Sequence, residues 1–227
     1  MASHTGDKIG NAFLTEPGLL KPCRLTTALQ LRSNTAANRT ALNRAVPQAD
    51  LMCRKCRVQL ETLPHILGQC EQTKGSRIRR HDEMKEFIEA HILNGKRGER
   101  TVTTEAELRA PDGKRLKPDL LVKSGEGVFV VDVTVRCEDG DSLRHAALSK
   151  LNTYQPLLPS VAALYQSNDA EVLPVVVGTT EAMPKDTIDA LRKIGIRNKG
   201  DLKTISLIAL RSSIELHHHF MDYDGAV

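Results

Sequence analysis

The sequence predicts a mixed α/β domain that follows a small module of cysteines and histidine. Three observations predict this class. Helical periodicity alternates with short apolar runs of strand length. Turn compositions separate three consecutive strand-like stretches, and three of the five cysteines cluster between 53 and 70. After the module, the expected order of elements is α, β, β, β, α, β, α, α. The 227 residues suffice for one such domain and a small satellite.

Composition excludes several other classes of protein. Hydrophobic residues make up 40% and charged residues 26% of the chain, which argues against disorder and against coiled-coil or collagen-like composition. Aromatic residues are only 3%, so we expect no base-stacking RNA-recognition sheet. No apolar run approaches the roughly 20 residues of a membrane span, so no membrane is expected as a partner. Without a basic-then-apolar signal at the start, the cysteines are expected to be reduced.

Basic residues are concentrated in the first quarter of the chain. The net charge is +4, yet the segment 21–58 holds eight basic residues and one acid. A second basic run spans 74–80. Such clusters suggest a track for a polyanion, although a solvated surface is the alternative interpretation. The candidate nucleic-acid-binding residues are Arg39, Arg44, Arg54, Lys55, Arg57, Arg77, Arg79, Arg80 and His81.

The elements follow one another in a clear order. Residues 1–50 have weak apolar periodicity and are interpreted as a basic linker with one or two short helices. Apolar residues at helical spacing predict an amphipathic helix over 77–93, closed by Asn94-Gly95. Three strands are then expected at 101–108, 115–123 and 128–135, separated by the turn compositions of 111–113 and 124–127.

The second half is expected to alternate helices with one buried strand. Asp141-Ser142 is typical of an N-cap for a helix that Pro156 ends. The continuous apolar run 172–177 suits a buried strand. Shorter helical patterns complete the chain at 159–165, 185–194 and 201–221. The three histidines 217–219 project about 100° apart on a helix, so they cannot chelate together and are interpreted as a polar helix end.

A metal-binding motif stands out in the cysteine segment. Cys53, Cys56, His65 and Cys70 have the spacing C-x2-C-x8-H-x4-C, which suits a tetrahedral Zn²⁺ ion. Because protein ligands would fill all four positions, the zinc is expected to be structural. The alternative is a group of reduced cysteines with an incidental histidine. Cys23 and Cys137 lie outside the motif and are interpreted as ordinary small residues.

Two aspartates are expected to face each other across a hairpin. If 124–127 connect the strands, partner residue numbers sum to 251, which sets Asp119 opposite Asp132. Two unpaired carboxylates that close repel each other, and Asp132 is surrounded by valines. A bound Mg²⁺ or Mn²⁺ ion would account for both. The alternative is that one aspartate lies in solvent and the pairing is fortuitous.

These residues together resemble a known family. The α-β-β-β-α-β order, with Pro118-Asp119 on the second strand and Asp132 on the third, is similar to the restriction-type nuclease fold with a PD-(D/E)xK signature. Lys117-Pro118-Asp119, the cysteine motif and Arg80-His81-Asp82 resemble the C-terminal region of site-specific non-LTR retrotransposon proteins that insert into ribosomal RNA genes. The resemblance covers roughly residues 25–223. It implies a zinc knuckle at 51–73 and a restriction-like endonuclease domain at 74–227.

The resemblance also implies an activity and further site residues. Thr134 stands where the general signature has lysine, and the family's displaced lysine corresponds to Lys150, with Tyr154 one turn further on. Glu86 and Glu89 are alternative candidates for an acid from the first helix. The implied enzyme is a Mg²⁺- or Mn²⁺-dependent DNA endonuclease that acts in the nucleus, where its nick primes reverse transcription. The implied partners are double-stranded target DNA, template RNA and the rest of a polyprotein with reverse transcriptase. A non-catalytic nucleic-acid-binding module is the alternative.

Overall fold

A four-stranded mixed sheet forms the centre of the molecule in this computed structural model, which describes residues 9–95, 100–125 and 127–222. Its strand order is β1-β4-β5-β6, and β2 and β3 form a separate two-stranded hairpin. The strands are β1 (Thr101–Thr104), β2 (Leu108–Arg109), β3 (Arg115–Leu116), β4 (Leu120–Ser124), β5 (Gly127–Arg136) and β6 (Ala170–Gly178).

The central strand β5 confirms the expected register. It pairs antiparallel with β4 from Leu120–Val131 to Ser124–Gly127, and each of these pairs sums to 251. On its other side, β5 pairs in parallel with β6. Because helices cover both faces of the sheet, seven consecutive residues of β5 are buried, which explains its nearly continuous apolar sequence.

Nine α-helices and two 3-10 turns surround the sheet within the described residues. One core contains side chains of α5, α8 and α9, and a second contains side chains of α6 and α7. The helices are α1 (Ala12–Thr15), α2 (Pro22–Arg32), α3 (Arg39–Asn43), α4 (Leu63–Gly68), α5 (Lys74–Leu93), α6 (Ser142–Tyr154), α7 (Leu158–Leu164), α8 (Lys185–Lys193) and α9 (Lys199–Asp222). No described helix is long and apolar enough to cross a membrane.

Two of the expected strands are broken, and this changes the meander. The stretch 101–108 becomes β1 and β2, and 115–123 becomes β3 and β4. Glu105 has a φ of 51°, a left-handed conformation that ends β1, and its backbone N–H donates to the Asp119 carbonyl. Pro118, which has no N–H, separates β3 from β4. The chain therefore leaves the main sheet to form the β2–β3 hairpin and then returns.

The first described residues contain the expected short helices, and they are also packed. Phe13, Ala28, Leu31 and Ala36 are buried in a third core, together with residues of α4 and α9. The interpretation of 1–50 as a linker misses this packing, because small alanines carry much of it and give a weak periodic signal. Residues 9–46 thus form part of the folded body.

Candidate active site and metal centre

Asp132 lies in the middle of β5 and is only 3% exposed. Its Oδ1 accepts a hydrogen bond from Lys150 Nζ at 2.8 Å, and its Oδ2 accepts one from the Tyr154 hydroxyl at 2.7 Å. The Thr134 hydroxyl donates to Oδ1 at 3.3 Å. A buried carboxylate needs such partners, because leaving it unpaired in an apolar interior would be costly.

Lys150 and Tyr154 reach Asp132 from one face of α6. They are four residues apart, so successive helical turns bring them side by side. Burial, followed by the hydrogen bond to Asp132, raises the pKa of the Tyr154 hydroxyl far above its usual value. The tyrosine therefore stays protonated and acts as a donor. The structure brings together the three residues Asp132, Lys150 and Tyr154 named from the sequence.

Asp119 directly precedes β4, one residue beyond the last recorded pair with β5. Extending that register places it opposite Asp132. Its Oδ2 accepts from the Val133 backbone N–H at 2.7 Å and contacts His81 Nε2 at 3.1 Å. Both hydrogen bonds use the same oxygen, and Oδ1 accepts none from the part of the chain that the structure describes, so it could serve as a ligand atom.

His81 connects α5 with the Asp119 side of the site. Its Nδ1 lies 3.0 Å from the Asp82 carboxylate, so the imidazole bridges two acids. The hydrogen bond with Asp119, helped by Asp82 and opposed by burial, raises the pKa of His81 to about 9. The imidazole is therefore protonated at neutral pH. His81 was a candidate for nucleic-acid binding on sequence grounds, and in the structure it is a partner of Asp119.

A second group of charges beside Asp119 was missed from the sequence. Glu105 binds Lys85 Nζ at 2.6 Å and Lys117 Nζ at 2.7 Å. Lys85 is buried and lies one helical turn after His81 on α5, which is the one sequence signal that could have drawn attention to it. Glu86 is exposed, Glu89 is half-buried, and no contact between the described residues links either one to Asp119 or Asp132. The α5 acid that reaches the site is Asp82, through His81.

The donor set fits a hard divalent cation. Asp119 and Asp132 offer carboxylate oxygens from adjoining strands, and Mg²⁺ prefers one or two carboxylates completed by water and phosphate oxygens. Lys150 pairs with Asp132 and the His81 imidazole pairs with Oδ2 of Asp119, while Oδ1 of Asp119 accepts no hydrogen bond from the described residues and would be the oxygen open to an ion. These two residues could hold the cation.

The four residues of the cysteine motif form a cluster. Their ligand atoms all lie within 4.8 Å of one another. The Sγ atoms of Cys53 and Cys70 are 3.9 Å apart. In a tetrahedral site with Zn–S bonds of about 2.3 Å, two sulfur ligands lie about 3.7 Å apart, which is close to this distance. His65 Nε2 lies 3.2 Å from Cys56 Sγ, and its Nδ1 contacts Gln59 at 3.1 Å, which orients the ring. The cluster could bind zinc through these four atoms.

Several of the candidate phosphate-binding residues are engaged inside the protein. Arg54 forms a salt bridge at 2.8 Å with Glu61, whose side chain is fully buried, and Arg39 lies 4.0 Å from the same acid. Although burial opposes ionisation, hydrogen bonds from Arg54 lower the pKa of Glu61. Arg80 is 2% exposed and donates to Ser213 Oγ and the Leu67 carbonyl, and burial lowers its pKa to about 10. Arg80 therefore fixes α5 against α4 and α9.

The remaining candidates lie nearer the surface. Arg44, Arg57 and Arg79 are exposed, and Arg57 pairs with Asp50. Lys55 donates to the His219 carbonyl, and Arg77 donates to the Cys70 carbonyl. The exposed arginines are the ones able to meet a phosphate without first leaving a buried partner.

The three histidines of α9 do not form a metal site within the described part of the chain. His217 is buried and contacts the Ala37 carbonyl at 3.0 Å, and His218 contacts the Thr27 hydroxyl at 2.9 Å. The interpretation as a polar helix end holds for His218 and His219, which are exposed, but not for His217. These contacts tie α9 to the first helices. Cys23 is exposed, and Cys137 is half-buried after β5.

Comparison with known proteins finds relatives that are all Pol polyproteins of R2 retrotransposable elements. The chain is similar to a retrovirus-related Pol polyprotein from the type-1 retrotransposable element R2 of Popillia japonica, with 32% identity over 180 residues, or 77% of the chain and 36% of the relative. The R2 counterpart of Bradysia coprophila is 26% identical over 81% of the chain and 21% of the relative. The type-2 element R2DM of Drosophila melanogaster has a polyprotein that is 25% identical over 90% of the chain and 20% of the relative. No family model matches.

The matches cover most of this chain but only a part of each relative. The chain spans about a third or less of the length of the curated relatives it matches. Its homologues are thus retrotransposon polyproteins at about 30% identity, which supports a retrotransposon-related function for this region.

Proposed function

We propose that this chain is the endonuclease region of a retrotransposon polyprotein and nicks double-stranded target DNA with the help of Mg²⁺ or Mn²⁺. The observation that carries the proposal is the buried Asp132 carboxylate, which is held by Lys150 and Tyr154 beside Asp119. Structural needs alone do not account for a second acid, a lysine and a protonated tyrosine gathered around the acid of a valine-rich strand. The similarity to R2 polyproteins supports the same assignment.

The residues divide the work of phosphodiester hydrolysis. Asp119 and Asp132 would hold the cation, which polarises a phosphate and lowers the pKa of a bound water when it is present. Tyr154 fixes the orientation of Asp132 through its hydroxyl. The Lys150 ammonium group lies 2.8 Å from Asp132, close enough to stabilise negative charge that develops on a phosphate bound there. His81 holds Asp119 from the α5 side.

The proposal extends to cofactors, partners and location. The Cys53, Cys56, His65 and Cys70 cluster would carry one structural zinc ion, separate from the catalytic cation. In the longer protein, the nick would expose a 3′ hydroxyl for a reverse transcriptase, with template RNA as a further ligand. Such insertion into chromosomal DNA requires a nuclear location.

Plasmid nicking tests this proposal directly. The full chain, incubated with supercoiled plasmid, should convert it to open circles with Mg²⁺ or Mn²⁺ and not with EDTA. Asp132→Asn should lose the activity while it keeps DNA binding. Asp186→Asn, a change of an α8 acid, is the matched control and should nick at the parental rate. If the Asp132→Asn protein nicks like the parent, the proposed site is wrong.

A second candidate function is a nucleic-acid-binding module that positions DNA or RNA and does not cleave. The basic first quarter of the chain favours it, because eight basic residues lie between 21 and 58. Clean protein that binds the plasmid but never nicks it with either cation would support this module instead.

A further inference from the structure

The β2–β3 hairpin carries two arginines directly opposite each other. Arg109 pairs with Arg115 in the ladder. The Ala110 N–H donates to the Lys114 carbonyl at the turn end, so the arginine pair occupies the neighbouring non-hydrogen-bonded position, where Cα atoms stand only about 4.5 Å apart. Like charges directly opposite each other destabilise a hairpin. The fold alone gives no reason for this pair.

No acid of the described residues neutralises the two arginines. Both side chains are exposed, and neither forms an ion pair or a hydrogen bond with any described residue. Among the described residues, Glu105 binds two lysines, Asp112 accepts the Lys114 backbone N–H, and Glu107 forms no ion pair with either arginine. Lys114, at the turn, is also exposed. The hairpin therefore presents unneutralised positive charge to solvent.

The other face of the hairpin is firmly anchored. Ala110 and Leu116 are buried in the core that also contains Tyr154 and Leu157. The turn is closed by a Gly113 N–H to Ala110 carbonyl bond, and Gly113 takes the left-handed conformation with φ 83° that such a three-residue loop needs. The two guanidinium groups are thus carried on an anchored support that shares its core with Tyr154 of the candidate active site.

The hairpin also lies close to that site along the chain. Arg115 precedes Asp119 by four residues, which span at most about 13 Å. One strand of duplex DNA places a phosphate every 3.4 Å along the helix axis, so this reach covers about four phosphates. A two-stranded ribbon of this kind is narrow enough to follow a DNA groove about 12 Å wide.

We propose that Arg109 and Arg115 together bind a backbone phosphate of duplex DNA, within about four nucleotides of the phosphate at Asp119 and Asp132. Two guanidinium groups on adjoining strands suit one phosphate, whose oxygens accept their hydrogen bonds and remove their mutual repulsion. The pair is a positioning device for the substrate strand, and this inference rests on the proposed function.

The test is salt-dependent binding of a 30-base-pair duplex, measured without Mg²⁺ so that the DNA stays intact. Arg109→Ala with Arg115→Ala should flatten the slope of log K against log[salt] by roughly 0.9 for each lost phosphate contact. Lys185→Ala with Arg192→Ala on α8 removes the same charge beside β6 and should leave the slope unchanged. Equal slopes for the hairpin variant and the parent would overturn the inference.

Two further measurements separate this inference from its alternatives. The melting temperature of the hairpin variant should stay equal or rise, because repulsion is relieved, whereas a clear fall with unchanged binding would make the arginines structural and overturn the proposal. A slope that flattens on single-stranded RNA but not on duplex DNA would also overturn it. Binding is read without cleavage, so the absence of nicking by the parent would reject the proposed function and leave the hairpin measurement valid.

Discussion

Hydrogen bonds and ion pairs to individual carboxylate oxygens hold Asp132 and Asp119 in place. Both of its oxygens have partners on α6, and Asp119 holds its place through the Val133 N–H and His81. Asp132 is therefore held from α6, and Asp119 from α5 and β5. If they hold one cation between them, they act as a unit, and removing either one removes the whole effect.

We therefore expect non-additive losses of activity. Asp119→Ala alone and Asp132→Asn alone should each abolish nearly all nicking, and the double variant should lose little more. Steady-state nicking rates measured for a full double-mutant cycle check this. Rates that fall by independent factors, so that the double variant equals the product of the single ones, would contradict a shared ion.

Lys150 should affect the rate more than metal binding. Lys150→Ala is expected to slow nicking strongly, because it removes the charge nearest to Asp132, while the Mn²⁺ affinity should hold or rise once the competing ammonium is gone. Mn²⁺ titration followed by electron paramagnetic resonance, alongside nicking assays, separates the two effects. Lys123→Ala, on the neighbouring strand β4, is the matched control. Loss of Mn²⁺ binding in Lys150→Ala would show that Lys150 supports the site structurally instead.

Another buried acid, Glu181, predicts how stability changes with pH. Glu181 is fully buried after β6, and among the described residues its Oε1 has no hydrogen-bond partner and its Oε2 accepts only a long bond of 3.5 Å from the Phe13 N–H. Burial raises the pKa of Glu181 from 4.5 to about 7. The nearby Glu16 raises this pKa slightly further, whereas Arg32 and Arg211 lower it. The folded protein therefore binds this proton more tightly than the unfolded chain does. The stabilisation of the folded state by this bound proton is complete below about pH 4.5 and is lost as the pH rises through 7.

Glu181→Gln should accordingly stabilise the protein at pH 8 more than at pH 5. The gain at pH 8 is up to about 3 kcal/mol, because each pKa unit corresponds to about 1.4 kcal/mol. Melting temperatures of variant and parent between pH 5 and 8 measure the effect. Glu215→Gln, at an exposed position paired with Arg24, is the control and should leave the pH profile unchanged. Parallel profiles for all three proteins would contradict the raised pKa.

At the scale of elements, the cysteine module is more than an appendage. Its residues Cys53, Leu63 and Ile66 share a core with Leu210 and Ile214 of α9. Loss of its metal should consequently loosen the C-terminal half of α9 as well as the module, while the sheet keeps its own cores.

Cys56→Ser tests this coupling. Because structural zinc contributes folding free energy, the variant should lose its zinc and show faster hydrogen exchange over 53–70 and at Leu210–Phe220, with the β4–β5 amides unchanged. Cys23→Ser, which lies outside the cluster, should retain one zinc per chain. Elemental analysis that finds no zinc in intact parent protein would reject the metal assignment.

At the scale of the whole molecule, the basic residues divide into two groups with different roles. Arg39 and Arg54 surround the buried Glu61, whereas Arg44, Arg57 and Arg79 are exposed. Neutralising one of the first group leaves a buried carboxylate with fewer partners, which costs about 3 kcal/mol or more. Neutralising the second group leaves the interior intact.

The two groups should therefore separate in a paired experiment. Arg44→Ala, Arg57→Ala and Arg79→Ala together should flatten the salt dependence of DNA binding by roughly 0.9 for each phosphate contact, with little change in melting temperature. Arg54→Ala should lower the melting temperature instead. An unchanged slope in the triple variant would mean that these arginines form only a solvated surface.

The sequence alone determined the features that depend on short, regular spacing. The short connection at 124–127 fixed the register of β4 and β5, because the length of a hairpin connection sets which residues pair. The cysteine spacing fixed which four side chains meet, and helical periodicity fixed the main helices. The positions of Lys150 and Tyr154 near Asp132 followed from the family resemblance and not from spacing.

Only the tertiary structure decided which charges meet across distant parts of the chain. The sequence does not say that Glu61 gathers Arg39 and Arg54, that Glu105 bridges Lys85 and Lys117, or that His81 reaches Asp119. Long charged side chains have no periodic signal, and their partners depend on which elements pack together. The same holds for Arg109 and Arg115: their charges are visible in the sequence, but the broken strands that set them opposite each other arise from Glu105 and Pro118 at the return to the sheet.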